Sequence, residues 1–245
     1  DGNAWEFRKA DKAVVVKFGG YIREEDVDGA RRFQHEGYEA ILAVPYDMPV
    51  AGFRNNTVNT LRLWSAEVMP STDEGPVSDS DYIKAMEYRR SVESITEILY
   101  PDDSRYEGRV LRLKQQYFMV SAGLQSIVRR FKKKNGSLLD FHEKNSIHIN
   151  DTHPVVVVPE LMRILLDEEG LSWDQAWRIT LNAVSYTNHT VMPEAFEKWP
   201  VEVFRELMPR IFMIVNEINE RWCADLWNRY PGEWDKIREM AIIAD

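Results

Sequence analysis

Apolar positions in this 245-residue chain follow two rhythms: short β-like runs near the start and helical spacing afterwards. Ala13-Val14-Val15-Val16-Lys17-Phe18 is a β-branched run closed by Gly19-Gly20, which predicts a strand and a turn. Glu39-Ala40-Ile41-Leu42-Ala43-Val44 predicts a second strand, stopped by Pro45 and Pro49. Residues 58–64 alternate enough for a third. The stretch 70–80 is rich in Pro, Gly, Ser and acid and reads as a loop, with Asp79 or Asp81 capping the helix behind it. Helical spacing then places Ile83, Met86, Val92, Ile95, Ile98 and Leu99 in one helix over 82–99. Leu113, Tyr117, Val120, Leu124, Val128 and Phe131 share a face of a longer helix over 111–131. Ser146-Ile147-His148-Ile149 and Asn182-Ala183-Val184-Ser185-Tyr186 are two more strands. Between them lie helical stretches over 157–168 and 173–181, the first ended by Gly170. The tail over 201–244 is helical, with breaks at Pro209 and Pro231. Strands alternating with helices predict an α/β fold, helix-rich, with a largely parallel sheet.

Composition narrows the class. Hydrophobic residues at 44% and charged residues at 29% specify a packed core with a solvated surface, not disorder. A net charge of -9 repels phosphate backbones, so nucleic acid and anionic membranes are poor partners. The single cysteine, Cys223, forms no internal disulfide, which fits a reducing, cytoplasmic location. No run approaches the roughly 18 apolar residues of a membrane helix. The start, Asp1-Gly2-Asn3-Ala4-Trp5-Glu6, has neither an initiator Met nor a signal-peptide pattern, so the expectation is an interior segment of a longer soluble protein.

Candidate chemistry gathers at two strand-to-loop junctions, Asn150-Asp151-Thr152-His153-Pro154 and Thr187-Asn188-His189-Thr190. Ligands in open α/β sheets bind beyond the carboxyl ends of strands, and this mixture of donors and acceptors suits a neutral polyhydroxylated ligand. Helix capping is the competing reading. His148, Asp151 and His153 are close enough in sequence to be weighed as a metal set, but His148 sits within a strand and metal is not expected. Asp102, Asp103 and Glu107 read either as paired carboxylates of a glycosidase or as an acidic helix N-terminus. Arg129-Arg130-Phe131-Lys132-Lys133-Lys134 reads as a cationic helix C-terminus or as an anion-binding patch. No nucleophile motif or Gly-rich phosphate loop is present.

Five blocks, in order and across the whole chain, resemble the glycogen/starch (α-glucan) phosphorylase family. The first is Val44-Pro45-Tyr46-Asp47-Met48-Pro49-Val50 with Arg54-Asn55-Asn56-Thr57-Val58-Asn59-Thr60-Leu61-Arg62-Leu63-Trp64-Ser65-Ala66. Leu99-Tyr100-Pro101-Asp102-Asp103 with Glu107-Gly108 and Leu111-Arg112-Leu113-Lys114-Gln115-Gln116-Tyr117-Phe118 follow. Asn150-Asp151-Thr152-His153-Pro154 with Pro159-Glu160-Leu161-Met162-Arg163, and Tyr186-Thr187-Asn188-His189-Thr190-Val191-Met192-Pro193-Glu194-Ala195, complete the set.

The resemblance implies that residues 1–245 are part of the N-terminal, Rossmann-like lobe of a two-lobed, glycosyltransferase-B-like enzyme. It implies a cytoplasmic transferase of glycogen degradation in which inorganic phosphate releases α-glucose 1-phosphate from the non-reducing end of α-1,4-glucans. The pyridoxal 5'-phosphate cofactor is expected on a lysine outside this segment, so the segment alone is expected to be inactive. The alternative is a non-catalytic carbohydrate-binding module. By the same resemblance His189 is the catalytic-site histidine that orients the glucosyl unit, and Asp103, Ser104, Asp151, His153 and Asn188 line the substrate site. Animal members carry Asn and Phe where this chain has Ser104 and Arg105, and Ser104 reaches less far toward the sugar 2-hydroxyl. Arg129 and Arg130 match a nucleotide-binding arginine pair, and the parent is expected to be a homodimer.

Overall fold

A computed structural model describes residues 5–27, 29–70, 79–98, 100–193 and 196–243. The chain divides into two compact units, one of residues 1–18 and 39–136, the other of 19–38 and 137–245.

The first unit is an antiparallel sheet covered by two helices. Strands β1 (Phe7–Arg8) and β2 (Val14–Phe18) both pair with β5 (Glu39–Ala51), and β5 pairs along its length with β6 (Val58–Val68). Helices α1 (Asp79–Glu97) and α2 (Tyr106–Asn135) follow. Alternation in β2 buries Val14, Val16 and Phe18 against Leu113, Tyr117 and Phe118 of the α2 stripe, and Phe18 meets Tyr117 edge-on at 5.7 Å. Val92 and Ile95 are the buried anchors of α1, and Thr96 Oγ1 accepts the Ala66 N–H. Arg62 of β6 forks onto Asp47 of β5 and donates to Ser126 of α2 at 2.7 Å, tying three elements together.

Several boundaries differ from the sequence reading: β6 continues to Val68, and Asn182 and Ala183, expected to open a strand, instead end the helix Trp173–Ala183. Strand β5 runs through Pro45 and Pro49 instead of stopping there. The Pro45 carbonyl accepts the Lys9 N–H, so its missing N–H faces the same edge, in the gap where the β2 register has ended at Ala43 and that of β1 starts at Tyr46. Pro49 has the same parity and lies beyond the end of β1, so neither proline removes a ladder bond. Helix α2 starts earlier and ends later than expected, closing at Gly136 with φ of 77°. Asp81 stands inside α1 rather than before it, and residues 71–78 of the expected loop, like Leu99, lie outside the described residues.

The second unit contains a hairpin that the hydrophobic pattern does not reveal. Strands β3 (Tyr21–Val27) and β4 (Ala30–Glu36) pair antiparallel across seven registered positions. Their ladder is polar: Arg23 bridges Glu25 and Glu36, and Tyr21 donates to Glu36. The remainder is α3 (Phe141–Lys144), β7 (Ile147–Asn150), α4 (Val157–Arg163) continuing into a π-helical turn at Ile164–Glu168, α5 (Trp173–Ala183) and β8 (Val184–Thr187). Helices α6 (Val201–Leu207), α7 (Pro209–Arg229) and α8 (Trp234–Met240) close the chain, with the breaks at Pro209 and Pro231 as read. Its core is Phe141, Leu161, Met162, Ile164, Leu165, Ile179 and Ile211. Ser172 caps α5 in a reciprocal capping box with Gln175. Arg210 of α7 forks onto Asp167 and stacks on Phe33 of β4, 3.6 Å from the ring centre.

The architecture is mixed α/β, but the expectation of a largely parallel sheet is corrected: only β7 and β8 pair in parallel among the described residues. A parallel pair needs a crossover of a dozen or more residues, and among the strands that pair with each other only β7 and β8, with α4 and α5 between them, have α-helices in the connection. Strands β2 to β6 follow one another through short turns and therefore fold back on themselves. Among the described residues no helix is long and apolar enough to cross a membrane.

Candidate functional site

The parallel pair determines where polar groups can converge. In register, Ile147 faces Val184, His148 faces Ser185, Ile149 faces Tyr186 and Asn150 faces Thr187. Alternation buries Ile149 and leaves His148 and Asn150 on the exposed polar face. Both strands end at the same level, so their loops leave side by side. The Asp151 N–H donates to the Thr187 carbonyl at 3.1 Å, and Asp151 turns the chain with φ of 69°. Asp is among the few residues that adopt this left-handed conformation readily.

Side chains lock the two loops together. His148 Nε2 meets Thr187 Oγ1 at 2.6 Å, and His189 Nε2 is hydrogen bonded to Asn150 Oδ1. Asp151 Oδ1 accepts the Thr152 N–H at 2.7 Å, and its Oδ2 lies 3.9 Å from His153 Nε2. His153 Nδ1 lies 3.3 Å from Glu197 Oε2, so this imidazole sits between two carboxylates. Asn188 Oδ1 accepts the Thr190 N–H at 3.2 Å, and Thr190 Oγ1 accepts the Met192 N–H.

Of the residues singled out by sequence, Asp151, His153, Asn188 and His189 thus lie on adjoining loops at one strand end. Asn188 holds its own loop with its amide oxygen, and because no α-helix begins at residues 188–192 this is a loop turn and not the helix cap of the competing reading. Glu197 and Asn150 were not singled out as site residues. Glu197 lies outside both junction motifs, and only the fold brings it to His153. The weighed metal set is not assembled: His148 turns to Thr187 while His153 turns to Glu197, and no group of three metal-ligating side chains forms among the described residues.

Asp103 and Ser104 belong to the first unit, in the loop before α2. The Asp102 Oδ1 accepts the Ser104 N–H at 3.1 Å. Hydrogen bonds from the Ser104 hydroxyl and then from its backbone hold the Asp102 carboxyl below the usual carboxylate range. Asp103 is approached by Arg112 at 3.6 Å, and its carbonyl accepts from Arg109 Nε. A Cβ at Gly108 would run into the Asp102 carbonyl, so the loop folds back on the first turn of α2 only because that residue is glycine. Glu107 lies in that first turn, where an acid is favourable to the helix dipole. Arg129 and Arg130 are exposed near the other end of α2, ahead of Lys132, Lys133 and Lys134, and Arg129 reaches the Ala13 carbonyl at 3.5 Å.

A mixed α/β chain with polar loops at the carboxyl ends of a parallel pair has its candidate ligand site at those loops. The carbohydrate phosphorylase family profile matches residues 1–245, and the chain belongs to that family. It is 51% identical over 244 residues to the glycogen phosphorylase of Bacillus subtilis (strain 168), covering 100% of this chain and 30% of that protein. It is 42% identical to the muscle form of glycogen phosphorylase of Ovis aries, again over 100% of this chain and 30% of the relative. The brain form of Homo sapiens is 43% identical, with 29% of its length covered. The chain therefore spans about 30% of the length of these curated relatives.

Proposed function

We propose that this chain is part of the N-terminal, Rossmann-like lobe of an α-glucan phosphorylase with glycosyltransferase-B-like organisation. The whole protein transfers the terminal glucosyl unit of an α-1,4-glucan to inorganic phosphate, releasing α-glucose 1-phosphate. The observation that carries this reading is the 51% identity to a bacterial glycogen phosphorylase across the whole chain. Supporting it, the β7–β8 loops present neutral donors and acceptors of the kind that bind sugar hydroxyls, with carboxylates at Asp151 and Glu197.

In this reading His189 orients the glucosyl unit, and Asp151, His153 and Asn188 line its pocket. Asp103 and Ser104 are the substrate residues contributed by the loop before α2. Fixed polar groups of this kind accelerate glycosyl transfer by holding the sugar in its reactive orientation while charge develops at the anomeric carbon. Arg129 and Arg130 form a candidate regulatory anion site, which is dismissed if a nucleoside monophosphate leaves the parent's activity unchanged.

The family's pyridoxal 5'-phosphate requires a lysine amine aimed into a cavity. None of three cavities in the second unit, of about 620, 450 and 890 Å³, is lined by lysine. Lys114 in the first unit is engaged by Glu39 and by the Phe18 ring. These residues do not fit the cofactor, and we assign it to the part of the parent outside this chain, so the chain alone is inactive. We assign the parent to the cytoplasm as a homodimer.

Glucose 1-phosphate production tests the reading, with the parent protein given maltoheptaose, phosphate and the cofactor. Phosphate-dependent product from the parent and none from this chain is expected. A folded, cofactor-loaded parent that makes no product moves the assignment to a carbohydrate-binding module.

A further inference from the structure

His189 is useful to a ligand only if its ring nitrogens have defined roles, and the second unit contains a group that defines them. Asn150 is the last residue of β7 and stands opposite Thr187, the last residue of β8. Its amide oxygen is hydrogen bonded to His189 Nε2. An amide oxygen only accepts, so the neutral imidazole must carry its proton on Nε2 and keep a lone pair on Nδ1. We infer that Asn150 is a positioning residue that fixes His189 as the Nε2–H tautomer and presents Nδ1 as a hydrogen-bond acceptor for a hydroxyl of the bound sugar.

The surroundings make Asn150 suited to this role. Its backbone is held by the parallel ladder, and the next residue is turned by the Asp151 N–H bond to the Thr187 carbonyl. Two residues back on the same face, His148 makes a cross-strand contact to Thr187 Oγ1, so the polar face of the pair is tied at two successive levels. A carboxylate in place of Asn150 would favour the imidazolium, which has no acceptor nitrogen. An amide supplies the acceptor without that charge. The arrangement therefore selects for a ligand that donates a hydroxyl proton to Nδ1 and against one whose matching group can only accept.

The role in sugar binding rests on the phosphorylase reading, whereas the tautomer does not, and the two are tested separately. The chain is labelled with 15N-histidine and its ring nitrogens are read by long-range 1H–15N correlation at about pH 8, where an unperturbed imidazole is neutral. The His189 signals are assigned by their loss in His189→Gln. The expected result is one fixed form, with a protonated Nε2 and a bare Nδ1, relaxing in Asn150→Ala to averaged shifts of two exchanging tautomers. Backbone amides of β7 and β8 in Asn150→Ala report whether the strands stay paired, and Asn150→Ser is read if they do not. A proton on Nδ1 in the unmodified chain overturns the inference. So do ring shifts that stay fixed after the amide is removed. In the parent, Asn150→Ala should lower kcat/KM for phosphorolysis roughly ten- to hundredfold. A parent without phosphorolysis defeats the functional reading and leaves the tautomer result standing. An active parent with the wrong tautomer, or with an Asn150→Ala variant at full rate, defeats this inference alone.

Discussion

Removing Asp47 and Arg62 together should destabilise the first unit by less than the sum of the two single removals. The Arg62 fork reaches Asp47 through Nε at 2.6 Å and Nη2 at 2.7 Å, and its third nitrogen reaches Ser126 Oγ. The side chains are 25% and 13% exposed, so water screens the pair only in part. Hydrogen bonds to charged groups contribute about 1.5–3 kcal/mol each, and desolvation of both ions offsets a share of that. Asp47→Ala leaves a guanidinium half-buried with Ser126, the Trp64 ring and the charge of Asp11 as its remaining partners, and we expect a loss of about 2–4 kcal/mol. Arg62→Met keeps the stem and strands the carboxylate, with a similar loss of about 2–4 kcal/mol. The double variant strands neither ion, so its loss should fall short of the sum by about 1–3 kcal/mol.

Urea unfolding of the four proteins, followed on the transition of the first unit, measures the cycle. Acid adds an independent check. The Arg62 hydrogen bond lowers the Asp47 pKa, with burial opposing it. A carboxylate with a depressed folded pKa contributes stability that is present above its unfolded value, about 3.9, and is lost as pH falls through the folded value. The gap between the unmodified chain and Asp47→Ala should therefore narrow below about pH 4. Single losses that add to the double within about 0.5 kcal/mol refute the coupling. A gap of equal size at about pH 6 and about pH 3 refutes its electrostatic origin.

Three further changes test other parts of the structure. Gly20→Ala places a Cβ against the Glu36 carbonyl at a φ of 75°, so the unfolding midpoint of the second unit should drop, by about 2 kcal/mol or more in stability. Ser172→Ala removes one half of the α5 capping box and should cost about 1 kcal/mol, read from urea unfolding, while Ser172→Asp should recover most of it. His189→Ala in the parent should lower kcat/KM for glucan phosphorolysis about a hundredfold or more while leaving the fold, read by circular dichroism, unchanged.

Elements with an apolar face were legible in sequence, and elements held by charge were not. Val14, Val16 and Phe18 announce β2, and the Leu113, Tyr117, Leu124 and Val128 stripe announces α2, because the same side chains make the core. The β3–β4 hairpin sent no such signal, since alternate positions on one face are Arg, Glu and Gln paired across the strands. Pro45 misled for a different reason. A proline breaks a strand only when its lost N–H was needed, and that depends on which edge has a partner, a property of the sheet and not of the run. Sheet direction was misread because strands separated by helices pair with each other only at β7 and β8, whereas α1 to α3 join strands of different sheets.

The candidate site divides along the same line. Asp151, His153, Asn188 and His189 were readable because each follows an apolar strand directly, where an unneeded cluster of polar side chains stands out. Asn150 was read as part of the junction cluster but was given no role of its own. Its importance lies in the register, and only the parallel pairing with Thr187 puts its amide within reach of His189. Glu197 was passed over because its partner is 44 residues away. Sequence patterns therefore reveal the polar groups of a junction more readily than the partners that hold them. An orienting residue acts through a neighbour fixed by topology, so in this fold the partners of each junction histidine could be named only once the strand pairing was known.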